Sequence, residues 1–218
     1  MIYCMSDIHG EKDRFDKMLD LIHFSDLDIL YIIGDVIDRG PSGIEILKSI
    51  MDRQNIFLLM GNHEDICLKT LGPRNEFGAR DIWRSNGGSH TYREMVYHMP
   101  PAERRKILRY IESSPIEQEI SVTGQKYHLV HGWPGATEDD KIWGRPMDNI
   151  PSILSADTTA IIGHTPTCFL AGENEEPFHI IHRPEQHYID IDCGAGHLQL
   201  NNRTLACLRL NDMAEFYV

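Results

Sequence analysis

The sequence predicts a single-domain α/β fold with two β-sheets. Three observations carry this. A strand, loop and helix unit repeats three times within the first sixty residues, the pattern of β-α-β units on a largely parallel sheet. The stretch 65–113 mixes polar and apolar residues and reads as a helical cap beside that sheet. From Ile116 onward the chain turns rich in short β-type runs, enough for a second sheet. No repeat or linker divides residues 1–218, and a chain of this length buries a full core without needing a disulfide or a metal to fold.

The elements follow in order. Residues 2–6 form a short apolar strand that runs directly into Asp7-Ile8-His9-Gly10. Phe15, Met18, Leu19 and Ile22 then fall at i, i+3, i+4 and i+7, one face of a helix. Leu27 to Ile33 is the second strand and ends in Gly34-Asp35. Pro41-Ser42 opens the next helix, whose apolar stripe is Ile44, Leu47 and Met51. Ile56 to Met60 is the third strand, ending in Gly61-Asn62-His63-Glu64. Within the cap, Pro101-Ala102-Glu103 starts a helix that continues through Tyr110. Further strands are expected over 116–122, 126–130, 159–162, 180–183, 188–192 and 204–210. The stretch 171–187, with Gly172-Glu173-Asn174-Glu175-Glu176-Pro177, is expected to be an exposed hairpin or loop.

Composition narrows the function classes. With 21 Lys+Arg against 33 Asp+Glu, the formal charge is −12, which argues against a general nucleic-acid binder, since phosphate contacts need a basic surface. Hydrophobic content of 41% and charged content of 25% are ordinary globular values. No apolar run approaches the roughly 20 residues of a membrane span, and the first residues lack the basic region and cleavage site of a signal peptide. The five cysteines are odd in number and contain no C-x-x-C pair, which points to reduced thiols and a cytoplasmic setting. Twelve histidines are many for this length and direct attention to metal ligands.

Each candidate ligand stands where a strand ends. Asp7 and His9 follow the first strand, Asp35 and Asp38 the second, Asn62 and His63 the third; His131 follows Tyr127 to Val130, and His164 follows Ala160 to Gly163. Loops at the carboxyl ends of strands in α/β sheets converge on one crevice, so five loops bring carboxylates, imidazoles and an amide together. Such oxygen and nitrogen donors, with no thiolate, suit Mn²⁺, Fe or Zn²⁺. About seven donors exceed the needs of one tetrahedral ion and fit two ions roughly 3.5–4 Å apart. Taken singly, each motif is as well explained by a tight turn or a packed histidine; five in order are not.

Ser6-Asp7-Ile8-His9-Gly10, Gly34-Asp35-Val36-Ile37-Asp38-Arg39-Gly40 and Gly61-Asn62-His63-Glu64 resemble the three signature motifs of the phosphoprotein phosphatase family of metallophosphatases, G-D-x-H-G, G-D-x-x-D-R-G and G-N-H-E. His131-Gly132 and Gly163-His164-Thr165-Pro166 resemble the two later histidine motifs, and Trp143-Gly144-Arg145 the segment that supplies a second arginine. The resemblance runs from residue 2 to about 195, and its length and spacing are most similar to the compact bacterial and phage lambda-type serine/threonine protein phosphatases. It implies the calcineurin-like fold, two mixed β-sheets in a central sandwich flanked by helices. It implies that Asp7 and His9 hold one divalent ion, that Asp35 bridges two, and that Asn62, His131 and His164 complete the second; Mn²⁺ is the expected metal, with Fe or Zn as alternatives. A hydroxide between the ions would attack phosphorus directly. His63 would protonate the leaving alkoxide, oriented by Asp38, while Arg39 and Arg145 would bind the phosphoryl oxygens. The substrate expected is a phosphorylated protein or a small phosphomonoester, with no membrane or nucleic-acid partner. Oligomeric state is left open.

Ser6 departs from the family's usual glycine at a position that is not a ligand, so a local backbone adjustment with little functional loss is expected, and a slight shift of the Asp7 loop if that glycine serves close packing. Asn86-Gly87-Gly88 resembles a short family segment near the cleft. Arg74, Arg80 and Arg84 are equally candidates for lining the cleft and for plain surface. The other eight histidines (23, 90, 98, 128, 179, 182, 187 and 197) read as surface or packing residues, and the cysteines as non-catalytic. The alternative activity is symmetrical diadenosine-tetraphosphate hydrolysis, on which the resemblance weighs through Asp38, since that family typically lacks this carboxylate. A nucleic-acid or cyclic-nucleotide phosphoesterase fits the Arg39 motif and the acidic body poorly. A non-catalytic metal-bound module would require a missing ligand or acid, and none is missing.

Overall fold

The computed structural model describes every residue of the chain except Arg74. The chain begins with β1 (Ile2–Met5), α1 (Lys12–Leu21), β2 (Ile29–Ile33), α2 (Gly43–Ile50), β3 (Ile56–Leu59) and α3 (Asn62–Leu71). The cap continues with α4 (Ala79–Ser85), α5 (Ser89–Arg93), a π-helical turn at Glu94–His98, and α6 (Pro101–Ser113). Then come β4 (Glu117–Val122), β5 (Gln125–Val130), α7 (Glu138–Trp143), β6 (Thr158–Ile162), β7 (Ile181–Arg183), β8 (Tyr188–Asp190), β9 (Ala206–Arg209) and β10 (Ala214–Tyr217).

Two five-stranded mixed sheets result, in the orders β10-β9-β1-β2-β3 and β4-β5-β6-β8-β7. In the first, β1, β2 and β3 run parallel, with Cys4 opposite Tyr31 and Ile32 opposite Leu58. β9 and β10 extend it antiparallel. In the second, β5, β6 and β8 are parallel, and β4 and β7 are antiparallel edges.

The apolar runs are nearly continuous because both faces of the first sheet are buried. Side chains alternate between those faces along each strand. Cys4, Ile33 and Leu59 face Leu129, Ile161 and Ile189 of the second sheet and form the sandwich interior. Tyr3, Met5, Leu30, Ile32, Ile56 and Leu58 face the other way, onto Phe15 and Met18 of α1, Ile44 and Leu47 of α2, and Ile107 and Ile111 of α6. The outer face of the second sheet (Val130, Ala160, Ile162, Tyr188) is covered by Trp133, Ile150 and Leu154. Each such fully buried aliphatic or aromatic side chain stabilises the fold by about 1.5–3 kcal/mol. Among the described residues no helix is long and apolar enough to cross a membrane.

The elements differ from expectation in a few places. The second strand starts at Ile29, and Leu27 is 93% exposed. Asp28 Oδ2 accepts from Ser25 N (2.9 Å) and Ser25 Oγ (2.7 Å), and Asp28 Oδ1 holds the terminal ammonium (2.5 Å), so a side-chain-closed turn holds this residue pair outside the strand. β10, pairing with β9 at the sheet edge, was not expected. Part of 171–187 is indeed a hairpin: β7 pairs antiparallel with β8, closed by Pro184–Gln186 and by His187 at φ +57°. The cap starts earlier than residue 65, because α3 begins at Asn62 itself.

Candidate active site

The strand ends collect the predicted residues at one end of the sandwich. Six of them have left-handed backbone: Asp7 (φ 53°), His9 (47°), Asp35 (56°), Asp38 (74°), Arg39 (63°) and His164 (67°). Non-glycine residues rarely adopt this region, each at a cost of about 1–3 kcal/mol, and such strain concentrates at functional sites. All six stand in the loops that follow β1, β2 and β6. Gly61 permits the approach of the second and third loops, since a Cβ there would lie 2.3 Å from Asp35 Oδ1.

Asp35 lies at the centre, 1% exposed. Its two oxygens face different partners. Oδ2 is 3.4 Å from His9 Nε2 and 3.8 Å from His63 Nε2, and Oδ1 is 3.4 Å from His131 Nε2. Asp7 Oδ1 joins the first side, 3.7 Å from His9 Nε2. Asn62 Oδ1 joins the second, 3.0 Å from both His131 Nε2 and His164 Nδ1. Donor atoms of His9, Asp35 and His63 lie within 4.8 Å of one another, as do those of Asp35, His131 and His164. Asp7 Oδ2 accepts from the His164 backbone N–H at 2.9 Å, which ties β1 of one sheet to β6 of the other.

The residues present fit two cations. His9 Nδ1 donates to the Ile37 carbonyl (3.0 Å) and His131 Nδ1 to the Ile33 carbonyl (2.8 Å), which turns each Nε2 toward the carboxylates. His9 Nε2 and His164 Nε2 have no hydrogen-bond partner among the described residues. The His9 Nε2 lone pair faces the oxygens of Asp7 and Asp35 and repels them, and a positive charge between them reverses the sign. In the protein alone, protons partly fill that role. Burial opposes charge on His131, but Asp35 and Asp7 outweigh it and push its pKa up to about 10. Burial, followed by His131, holds His164 down at about 3. Burial, Arg39 and His63 push His9 well below its usual value. Asp35 is buried, yet His131 and His63 hold its carboxyl well below the usual range. Burial raises Asp7.

Beside this cluster, His63 Nδ1 donates to Asp38 Oδ2 at 2.6 Å, with both side chains fully buried. His63 Nε2 thereby faces Arg39 Nη2 at 3.3 Å. Burial opposes the imidazolium, while Asp35 and Asp38 raise its pKa above the ordinary value. Arg145 is exposed, and its backbone N–H is held by Asp148 Oδ2 at 2.9 Å. Its charge is felt at His164 and at His197, so it stands on the same rim as Arg39. Trp143 packs edge-on to His164, with ring centres 6.0 Å apart.

A profile of the family described as calcineurin-like phosphoesterase matches residues 1–197. The chain belongs to that family. Serine/threonine-protein phosphatase 2 of Escherichia coli is 26% identical over 175 residues, 74% of this chain and 75% of that protein. A symmetrical bis(5'-nucleosyl)-tetraphosphatase of Wigglesworthia glossinidia brevipalpis is 47% identical over 64 residues, 28% of this chain and 24% of that protein. The crystal structure of a metallophosphoesterase from Sphaerobacter thermophilus has the same fold, with a TM-score of 0.58 at 17% identity, covering 100% of this chain and 87% of that one.

In this phosphoesterase, other residues enter the site that sequence reading passed over. Glu64, 0% exposed, accepts backbone N–H groups from Asp35 (2.7 Å), Val36 (2.9 Å), Ile37 (3.3 Å) and Gly61 (3.2 Å). Burial, then Asp35, pushes its pKa up to about 7. His197 is half-buried beside the two arginines. Burial, Arg39 and Arg145 hold it down at about 4, and the adjacent Gly196 packs against the His9 ring, where a Cβ would lie 2.0 Å from Cδ2. His128 is a packed residue, with Nε2 3.0 Å from Glu117. The Ser6 hydroxyl lies between Asp7 Oδ2 and the Ile33 carbonyl, in space left by Gly163, and its one proton serves one acceptor at a time. Gly87 O accepts from Arg39 N at 3.3 Å, placing the Asn86-Gly87-Gly88 segment at the cleft as expected. Arg80 and Arg84 line a cap cavity of about 280 Å³ with Tyr92, Arg93 and Tyr97, and Trp83 is also in its wall. Arg80 lies over the Tyr92 ring at 4.4 Å and Arg84 pairs with Asp81 at 3.3 Å. Arg74 lies outside the described residues.

Proposed function

We propose that this phosphoesterase is a metal-dependent phosphomonoesterase that removes phosphate from phosphoserine and phosphothreonine in proteins, and from small phosphomonoesters. The observation that carries the reading is the buried Asp38–His63 pair, at 2.6 Å, set beside Arg39 and the Asp35 cluster. An alkoxide is a poor leaving group and needs a positioned proton donor, worth typically about 10²–10⁴-fold in rate.

Asp7, His9 and Asp35 would hold one divalent ion, and Asp35, Asn62, His131 and His164 a second. The oxygen and imidazole donors suit Mn²⁺, with Fe or Zn²⁺ also compatible. When bound, two such ions lower the pKa of water and offset phosphoryl charge. The chain's own residues do the rest. Arg39 and Arg145 hold phosphoryl oxygens by charge-assisted hydrogen bonds that strengthen as charge builds. Asp38 fixes the proton on His63 Nδ1, so Nε2 presents the transferable proton to the departing serine or threonine oxygen. The ester P–O bond breaks, water supplies the oxygen that replaces it, and His63 regains its proton from solvent.

The relatives' coverage supports this order of preference, though narrowly: the Escherichia coli phosphatase aligns over three quarters of both chains, and the symmetrical tetraphosphatases over at most 60% of this chain and 43% of their own length. The 47% identity of the shorter match favours dinucleoside tetraphosphate cleavage as the second reading. The free thiols fit a reducing, cytoplasmic setting.

Phosphate release by metal-stripped protein, with Mn²⁺ added back, separates the readings on a phosphoserine/phosphothreonine peptide and on diadenosine tetraphosphate. Mn²⁺-dependent release from the peptide, with the dinucleotide inert, is expected. Cleavage of the dinucleotide alone would overturn the substrate assignment.

A further inference from the structure

The Asp38 carboxylate, 0% exposed, has two donors on the same oxygen. One is His63 Nδ1 at 2.6 Å; the other is the indole Nε1–H of Trp83, also at 2.6 Å. Asp38 Oδ1 has no partner among the described residues. Trp83 comes from α4 in the cap, is 1% exposed, and is the largest fully buried side chain among the described residues. Indole is a donor only and does not titrate in water. Its N–H therefore fixes where the Oδ2 lone pairs point without competing for the His63 proton.

We infer that Trp83 is a positioning residue for the leaving-group proton: its N–H pins the Asp38 carboxylate so that Asp38 holds the His63 imidazolium in the one orientation that presents its Nε2–H to the substrate. The inference rests on the general-acid role of His63 proposed above. It makes the cap part of the catalytic apparatus. With Trp83 disengaged, the carboxylate keeps one donor and is free to rotate about its Cβ–Cγ bond. The imidazole then loses its fixed partner direction, and a misplaced proton donor costs most where the leaving group most needs protonation.

The local packing supports the same conclusion. Gly88 has an ordinary helical-side backbone (φ −78°, ψ 3°) that any residue adopts, yet a Cβ there would lie 2.1 Å from both Cδ1 and Nε1 of Trp83. The absence of a side chain at residue 88 is thus required by the indole and by nothing in the backbone. The next residue back, Gly87, gives its carbonyl to Arg39 N. One short segment thus seats both the phosphoryl-binding arginine and the tryptophan.

The test compares two esters of different leaving-group demand in the Mn²⁺-loaded protein, an alkyl phosphate such as a phosphoserine peptide and an aryl phosphate with an acidic phenol. Trp83→Phe keeps a ring against Gly88 and Tyr92 and removes the N–H. It is expected to lower kcat about tenfold or more on the alkyl ester and less than about threefold on the aryl ester, with KM little changed. Gly88→Ala, which displaces the indole without deleting it, is expected to give the same asymmetry. In an Asp38→Asn background Trp83→Phe is expected to add no further loss, because the two act through one contact. Equal losses on both esters, or losses that add in the Asp38→Asn background, would overturn the inference. A second readout does not depend on turnover. In the metal-free protein the Trp83 indole N–H resonance should lie downfield and move upfield in Asp38→Asn; an unmoved resonance would also overturn it. If the wild-type protein cleaves neither ester, the proposed function fails, and the resonance alone decides the positioning contact.

Discussion

Asp35 and His63 touch the same small space, but they are predicted to respond differently to substitution. Asp35→Asn removes the charge between the two donor groups and should lower metal content at both positions, read by elemental analysis of the purified protein. His63→Asn should cut turnover by about two orders of magnitude or more while leaving two metal ions bound. Loss of an ion in His63→Asn would instead make His63 a ligand, which its 3.8 Å distance from Asp35 Oδ2 brings within reach. The ten residues singled out from the motifs gather at one end of the sandwich, and they were legible because their chemistry is written beside each strand end. Trp83 and His197 were not, because each reaches the site from a segment with no ligand pattern, one from the cap and one from the β8–β9 connection. Glu64 stood inside a motif, but its role is to hold backbone, which no search for ligands would pick out.

At the scale of elements, the loop after β2 and the first turn of α3 are joined through one carboxylate. Glu64 is the third residue of α3 and accepts the N–H of Gly61 just before the helix, as a capping glutamate does. It also accepts three N–H groups from the Asp35–Ile37 turn. Glu64→Gln replaces one acceptor oxygen with an N–H₂ that faces those donors. Charge-assisted hydrogen bonds contribute about 1.5–3 kcal/mol each, so a loss of about 2–3 kcal/mol is expected. For a chain of this size that is a fall in Tm of about 4–10 °C, checked by thermal denaturation, and metal affinity should weaken with it because Asp35 and Asn62 flank the turn. The β-α-β half of the fold was legible for a related reason: strands buried on both faces and helices with one apolar face leave strong periodic signals. β10 was missed because an edge strand of four residues, Ala214–Tyr217, with no residue fully buried leaves almost none. Leu27 was misread because its apolarity matches the strand, whereas the turn is set by Asp28 hydrogen bonds that hydropathy does not register.

For the molecule as a whole, the buried charges set a direction for stability against pH. His131, pushed up to about 10, His63, also raised, and Glu64, raised to about 7, bind protons more tightly when folded than unfolded. Their stabilisation is full below the unfolded values and fades as pH rises through the folded ones. His9 and His164, both lowered, act oppositely, but only below about pH 6.5, where the unfolded imidazoles still carry protons. From pH 7 to 9 the raised groups act alone, so the metal-free protein should lose stability, at up to about 1.4 kcal/mol per pH unit for each proton involved. Mn²⁺ takes the place of those protons and should flatten the profile; urea denaturation at pH 7 and 9, with chelator or with Mn²⁺, measures both. The three tryptophans add something for any experimenter with a fluorimeter. Trp83 is bonded to Asp38, Trp143 lies against His164, and Trp133 follows His131 by two residues. Two of the three indoles, those of Trp83 and Trp143, therefore stand at the cleft, whereas the Trp133 ring packs on Tyr188 against the outer face of the second sheet. The emission of those two is a local gauge of ion loading, and during unfolding it can change before the circular dichroism of the sheets does, so a mismatch between the two probes would mark the site opening first.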